Sequence, residues 1–294
     1  MSQVAVAKGE NRLETVKKAL VLIEDELAKE IPNKSRIVIK PNFVNVLRSL
    51  ACTHVDVIRA ILDIVTKYTS KRITIAEGSA TSTRLGYLRF GYYALRKKYN
   101  LRFVDLNRDK SYPVTIYDSR FGPMSVPVAK TILDSDFLIS AAILKTHDTV
   151  LATLGLKNVL VGSIRGISQK TRIHQGYPPI NRTLFEMAKE FAPHLSVIDA
   201  FRAMEGNGPS NGTPVDMKLA IAGTDFLAAD AVGVYLMGFD LSEIGYLYYC
   251  HEAGLGEGDI EKIEILGENP EEHRRRFKRH SSWEKQLNWK IPAN

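Results

Sequence analysis

Short apolar runs alternate with stretches of helical periodicity along most of the chain. Gln3 to Ala7 reads as a strand, and Asn11 to Ala28 carries Leu13, Val16, Leu20, Ile23 and Leu27 at helical spacing before Pro32-Asn33 stops it. Arg36 to Lys40 predicts a short buried strand ended by Pro41 and Asn42. Thr53 predicts the cap of a helix from His54 to Tyr68. A strand at Arg72–Ala76 leads through Glu77-Gly78-Ser79 to a helix over Leu85–Tyr99 and a strand at Leu101–Leu106. Val114–Ile116 and Met124–Ala129 flank a turn and predict a β-hairpin. Beyond it come a strand at Asp136–Ala142, a helix or buried turn over Val150–Val159, and a helix at Arg182–Phe191. Strands at Leu195–Asp199, Lys218–Ala222 and Ile260–Leu266 then alternate with helices at Asp225–Met237 and Ser242–His251.

This order predicts an α/β fold with a mainly parallel sheet built from βαβ units. Right-handed crossovers put the C-terminal strand ends on one rim, where open α/β sheets bind ligands. Two lobes are expected, over residues 1–130 and 131–270, with a basic tail over 271–294; one continuous sheet is the alternative.

Composition narrows the class. The chain has 294 residues, 45% hydrophobic and 25% charged, enough for a sizeable core without crosslinks. Its two cysteines, Cys52 and Cys250, lack CxxC spacing, so neither a zinc site nor an iron–sulfur cluster is expected. Met1–Glu10 has no apolar export signal, and no run reaches membrane-spanning length, so a cytoplasmic protein is expected. The net charge of +7 is concentrated: His273–Lys290 holds seven basic residues against Glu284, a net +6, leaving +1 for the rest. Nucleic acid is therefore expected only through this tail, where Phe277, Trp283 and Trp289 interleave the charges; an acidic partner, a membrane surface, or a segment that is solvated or docks on the protein's own body are the other readings.

Several motifs fall at predicted strand ends. Lys40 offers a point charge to a phosphate or carboxylate, and Asn42 a ligand contact or a turn cap. Thr53 and His54 stand at a helix start, where backbone N–H groups hold anions. Gly78 and Ser79 open a hydroxyl-rich loop, read either as an anion pocket or as a helix cap. The densest cluster runs from Lys145 through His147, Lys157 and Asn158 to His174, with glycines at 155, 162 and 166 that permit close backbone approach. Convergence of these groups makes an electropositive pocket, in which His147 or His174 transfers protons near neutral pH. The loop from Asp199 through Glu205 and Asn207 to Gly212 is expected on the same rim, and acid–base work requires Asp199 or Glu205 near His147. Asp230, inside an apolar helix, is expected to support a neighbouring element.

Taken in order, Ile37-Val38-Ile39-Lys40-Pro41-Asn42, Ala76-Glu77-Gly78-Ser79, Leu144-Lys145-Thr146-His147, Thr153–Asn158, Met204–Pro209 and Ala228-Ala229-Asp230 resemble the domain-of-unknown-function family numbered 362, over roughly Ile37 to Gly267. Some members of that family carry a ferredoxin-like module; its cysteines are missing here. The spacing of His147, Lys157 and His174 after a strand is also similar to the nickel-pincer lactate racemases. That resemblance implies a histidine assisting proton or hydride chemistry, a lysine carrying a nickel-pincer nucleotide, and His174 as a metal ligand. Cys52-Thr53-His54-Val55-Asp56 stands where those racemases have a Thr-Arg-Pro phosphate turn, and Gly155-Leu156 where they have Gly-Gly.

The expected function is an enzyme acting on a small anionic molecule by racemase- or isomerase-like acid–base chemistry. Catalysis is expected from His147, Lys157, His174 and Glu205, with the nickel-pincer nucleotide or another divalent metal as the implied cofactor. A non-catalytic phosphate- or nucleotide-binding protein is the alternative.

Overall fold

The computed structural model describes residues 1–290. In its first part, β1 (Gln3–Lys8), α1 (Arg12–Leu22) and α2 (Glu24–Glu30) precede β2 (Ile37–Lys40), α3 (Val55–Val65), β3 (Ile73–Glu77), α4 (Thr83–Arg89) and β4 (Leu101–Asp105). The hairpin β5 (Ser111–Tyr117) and β6 (Pro123–Ala129) follows, then α5 (Lys130–Leu133), β7 (Phe137–His147), β8 (Leu151–Thr153), α6 (Gly155–Gly162), α7 (Ile167–Thr171) and α8 (Tyr177–Phe191). The chain closes with β9 (Leu195–Glu205), β10 (Thr213–Gly223), α9 (Phe226–Leu236), α10 (Gly245–Glu252), β11 (Glu264–Gly267) and the single-turn helices α11 (Pro270–His273) and α12 (Trp283–Gln286).

Nine strands form one sheet in the order β11-β1-β10-β9-β7-β2-β3-β4, with β8 folded back on β7; the hairpin pairs only with itself. β9, β7, β2, β3 and β4 are parallel neighbours, while β10 runs antiparallel to both β9 and β1. The boundary expected near residue 130 does not divide the sheet, because β1 from the first part sits between β10 and β11 from the last. Apolar side chains of both sheet faces are buried: α1 and α3 cover one face, and α6, α8, α9 and α10 the other.

Several expected boundaries shift for local reasons. The helix over 11–28 breaks at Ile23, and Glu24, Asp25 and Glu26 stabilise the new N-terminus of α2. Gly91, at φ 73°, ends α4, and tighter 3₁₀ turns replace the rest of the helix expected to Tyr99. The expected cap also moves: His54 Nδ1 accepts from Asp56 N–H, while Thr53 bridges strands. β7 runs eleven residues instead of ending at Ala142. β8 pairs with Lys145–His147 on one side and β9 continues on the other, so the ladder extends and carries Lys145 and His147 inside the strand. The first half of the loop expected over Asp199–Gly212 is likewise strand, because β10 pairs with β9 as far as Glu205, and only 206–212 remain loop.

The basic tail lies against the body. Phe277 and Trp289 are buried, and Trp289 Nε1–H donates to Glu243 O at 2.9 Å. Residues 291–294 of the expected tail lie outside the described residues.

One buried carboxylate organises the start of α6. No side chain caps that helix from its own N-cap, Leu154. Asp230 of α9 takes this role, its carboxylate accepting from Gly155 N–H at 2.7 Å and Leu156 N–H at 3.0 Å. Gly155 is required there, because a Cβ would stand 2.4 Å from Ser196 Oγ. Asp230→Asn retains one acceptor and turns an amide N–H toward a backbone N–H. It is expected to lower stability by about 1–2 kcal/mol, read as a lower urea midpoint with an unchanged slope.

Candidate functional site

The strand ends β2, β3 and β7, the turn before α6 and the short helix α7 enclose a cavity of about 370 Å³. Lys40, Asn42, Gly78, His147, Lys157, Asn158 and His174, all expected from sequence, line it together.

Its floor is a polar network. Lys40 and Glu77, both essentially inaccessible, pair at 2.6 Å. Glu77 also accepts from Phe43 N–H at 3.2 Å, and Lys40 donates to Pro41 O at 3.0 Å and Asn158 Oδ1 at 3.2 Å. Asn42 Nδ2–H donates to the same Asn158 oxygen at 2.8 Å, and Lys145 donates to Asn42 Oδ1 at 2.7 Å. Lys145 thus stands one layer behind the wall. Burial pushes its pKa down to about 7, with Lys157 adding repulsion.

The reactive end is built from β7 and α6. Lys157 Nζ lies 2.9 Å from His147 Nε2. Burial lowers Lys157 to about 8, partly opposed by Asp148. Burial, and then Lys157, lower His147 to about 3, so the imidazole stays neutral at physiological pH. Its Nδ1 lies 3.0 Å from Asp148 Oδ1 and 3.1 Å from Thr149 N. These contacts accommodate two proton arrangements. With Nδ1–H donating to Asp148, Nε2 accepts from the Lys157 ammonium. With Nδ1 accepting from Thr149 N–H, Nε2–H donates to the neutral Lys157 amine. A neutral Lys157 amine keeps two N–H groups, so it too donates to Nε2 in the first arrangement and holds its lone pair free. His174 faces the same space, its pKa lowered by burial and by Lys157.

Other expected residues lie elsewhere. Thr53 Oγ1 accepts from Asn42 N–H at 2.8 Å and donates to Ala141 O at 2.7 Å. His54 lines a separate cleft with Arg12 and Asp199. Ser79 is turned into its own loop: its backbone N–H donates to Thr83 Oγ1 at 3.0 Å, and its hydroxyl accepts from Thr81 N–H at 3.0 Å. Glu205 accepts from Lys278 N–H at 2.9 Å, and Asn207 accepts from Ser281 N–H at 3.3 Å, so both bind the tail. The carboxylate beside His147 is Asp148, in place of Asp199 or Glu205.

Three contributors carried little sequence signal. Glu77 reads as turn chemistry. Lys170 sits in a short stretch, Ile167–Thr171, without helical patterning. Gln286, from α12, is buried and clips both ends of the β7–β8 turn: Leu151 N–H donates to its Oε1 at 2.6 Å, and its Nε2–H donates to His147 O at 3.1 Å. Leu151 is held at φ 61° within that turn. The tail thus helps to place His147. Neither cysteine belongs to this chemistry: burial pushes the Cys52 and Cys250 thiols up to about 12.

The family profile described as "Domain of unknown function (DUF362)" matches residues 37–235, more than half of the chain. The chain belongs to the DUF362 family. A thylakoid-associated protein of Synechocystis sp. is 33% identical to this DUF362 chain over 131 residues, 44% of the chain and 40% of that protein. The chain therefore matches less than half the length of that relative. The fold is also that of the lactate racemase apoprotein from Thermoanaerobacterium thermosaccharolyticum, with a TM-score of 0.52, 17% identity, and coverage of 83% of this chain and 58% of that one. No described helix of this DUF362 protein is long and apolar enough to cross a membrane.

The pincer nucleotide implied by the sequence resemblance fits this chain only in part. Lys157 and His174 share the cavity, as an anchoring lysine and a metal-ligating histidine would. Among the described residues no three His, Cys, Asp or Glu side chains converge as a metal site. The phosphate turn does not fit: the Thr53 hydroxyl is engaged between Ala141 and Asn42, and His54 opens into the other cleft.

Proposed function

We propose that this protein is an enzyme that moves a proton on a small anionic substrate, with isomerase-type acid–base chemistry, Lys157 as the transferring group and His147 as its hydrogen-bonding partner. The observation that carries this reading is the 2.9 Å contact between Lys157 Nζ and His147 Nε2 at the wall of a lysine-rich cavity. An amine with a pKa of about 8 is partly neutral at pH 7 to 8 and therefore competent as a base. It takes the proton from the carbon beside the substrate's anionic group. The electron pair moves onto that group, and its developing charge faces the buried lysines. The Lys157 ammonium then returns the proton, while His147, neutral throughout, accepts an N–H of Lys157 at Nε2 in both charge states.

The test is isotope exchange. Small 2-hydroxy acids, with and without a phosphate group, are incubated with the protein in deuterated water, and loss of the C2 proton signal beside the carboxylate is followed by NMR. Exchange in at least one compound is expected, faster above pH 8 than below it. Compounds that bind, by thermal shift, and show no exchange would sink the catalytic reading in favour of a binding protein for phosphate-type ligands.

A further inference from the structure

Two lysine amines mark different parts of the cavity. At one stands Lys157, 2.9 Å from the neutral His147, with His174 lining the same space. At the other, Lys170 of α7 donates to Asn107 Oδ1 at 2.8 Å and to Ile164 O, both neutral acceptors. The partners of Lys170, Asn107 and Ile164, are shared with neither Lys157 nor His147. The two amines therefore line the same cavity from different elements, α7 and α6.

The nearby carboxylates have other partners. Asp105 accepts from Asn107 N–H at 3.1 Å. Glu77 is committed to Lys40 and to Phe43 N–H. Asp148 is half-exposed and contacts His147 and Thr149. Lys170 is left with neutral acceptors in ground from which water is largely excluded. Buried cations without a counterion are costly, and an anionic ligand relieves that cost.

Glycines let the amines reach the cavity. A Cβ on Gly78 would lie 3.1 Å from Lys170 Nζ, and a Cβ on Gly162 would lie 2.2 Å from Lys40 Nζ. The cavity walls are partly apolar, with Phe43, Val44, Val161 and Ile167. The volume of about 370 Å³ is at the small end of ligand sites.

We propose that the ligand of this cavity is a compact bis-anion: one phosphate or carboxylate against Lys170, a second anionic group against Lys157 and His174, and a short, partly apolar skeleton between them. This rests on reading the cavity as the substrate site and names the substrate class. Two weak anion contacts joined on one skeleton bind more tightly than either alone, provided the length matches the separation.

The experiment is isothermal titration of the full chain with phosphonoacetate, 3-phosphonopropionate and 4-phosphonobutyrate, beside inorganic phosphate and butyrate, at constant ionic strength. One length is expected to bind at least ~10-fold more tightly than either single anion. Lys170→Met is expected to abolish the length preference, and Lys170→Arg to keep it. Equal affinity for all five probes, or a length preference unchanged in Lys170→Met, would overturn the proposal. If Lys170→Met fails to fold by circular dichroism, the length series on the unaltered chain decides alone. A length preference without isotope exchange sinks the catalytic reading and keeps the bis-anion; exchange on a monoanionic acid without a length preference does the reverse. Mass spectrometry of small molecules released from the purified protein separates the sources. A bis-anion retained through purification is a resident group, and one that binds reversibly in titration is substrate or product; either supports the proposal.

Discussion

Replacing Glu77 with glutamine is expected to destabilise the protein by about 3–5 kcal/mol, the cost of breaking a buried ion pair by removing one partner. Lys40 is 0% and Glu77 2% exposed, so water does not replace the lost charge. Glutamine preserves the shape and one acceptor. Lys40 is then left with Pro41 O and Asn158 Oδ1, both neutral. The same change loosens the wall, because Glu77 also holds Phe43 N–H.

The pH dependence of this variant has a definite sign. Burial already lowers the Lys40 pKa, and Glu77 is the group that raises it. Without Glu77 the folded-state pKa falls further below the unfolded value of about 10.4. Between those two values the unfolded chain binds more protons, so stability rises with pH. The deficit of Glu77→Gln should therefore be largest at neutral pH and shrink toward pH 10. Urea unfolding at several pH values reads it directly. A midpoint equal to that of the unaltered chain at pH 7 would show that the pair contributes nothing. In the companion variant Lys40→Met with Glu77→Gln, the stability loss should be smaller than the two single losses combined, because no charge is left buried alone.

The strand–helix order and the core of the site were readable because each has a local signature. Lys40, Gly78, His147 and Lys157 follow short β-branched runs or precede glycine-marked turns, and parallel strands bring such positions to one rim. Helix ends at Ile23 and Gly91 were less readable, because acidic N-termini and left-handed glycines compete with an otherwise continuous apolar period. The lengths of β7 and β9 depend on pairing with β8 and β10, which no single segment encodes. The same holds for Glu205 and Asn207. Their loop resembles a ligand loop in composition, yet the tail some seventy residues later takes up their acceptors. Gln286 and Asp230 act on the site from 139 and 75 residues away, through hydrogen bonds only the folded chain brings together. Lys170 was hidden differently: a lysine in a polar stretch reads as solvated, and only the packing of α7 against the Gly78 turn buries it.

Lys157→Met and Lys157→Arg together separate catalysis from binding. If Lys157 transfers the proton, Lys157→Met should slow isotope exchange by about 10²- to 10⁴-fold, the usual contribution of a positioned acid–base group. Methionine keeps the volume and apolar stem while removing both the charge and the lone pair. Arginine keeps the charge but stays protonated, with a pKa above about 12. A lysine that only attracts an anion is therefore replaced well by arginine, whereas a lysine that accepts a proton is not. The catalytic reading expects Lys157→Arg to bind the anion nearly as tightly as the unaltered chain and to exchange as slowly as Lys157→Met. It also expects the rate increase centred near pH 8 to vanish in both variants, because the titrating amine is gone. Retained exchange in Lys157→Arg would assign the base elsewhere in the cavity. His174 would be the next group to test, since it shares the space and feels the same lysine.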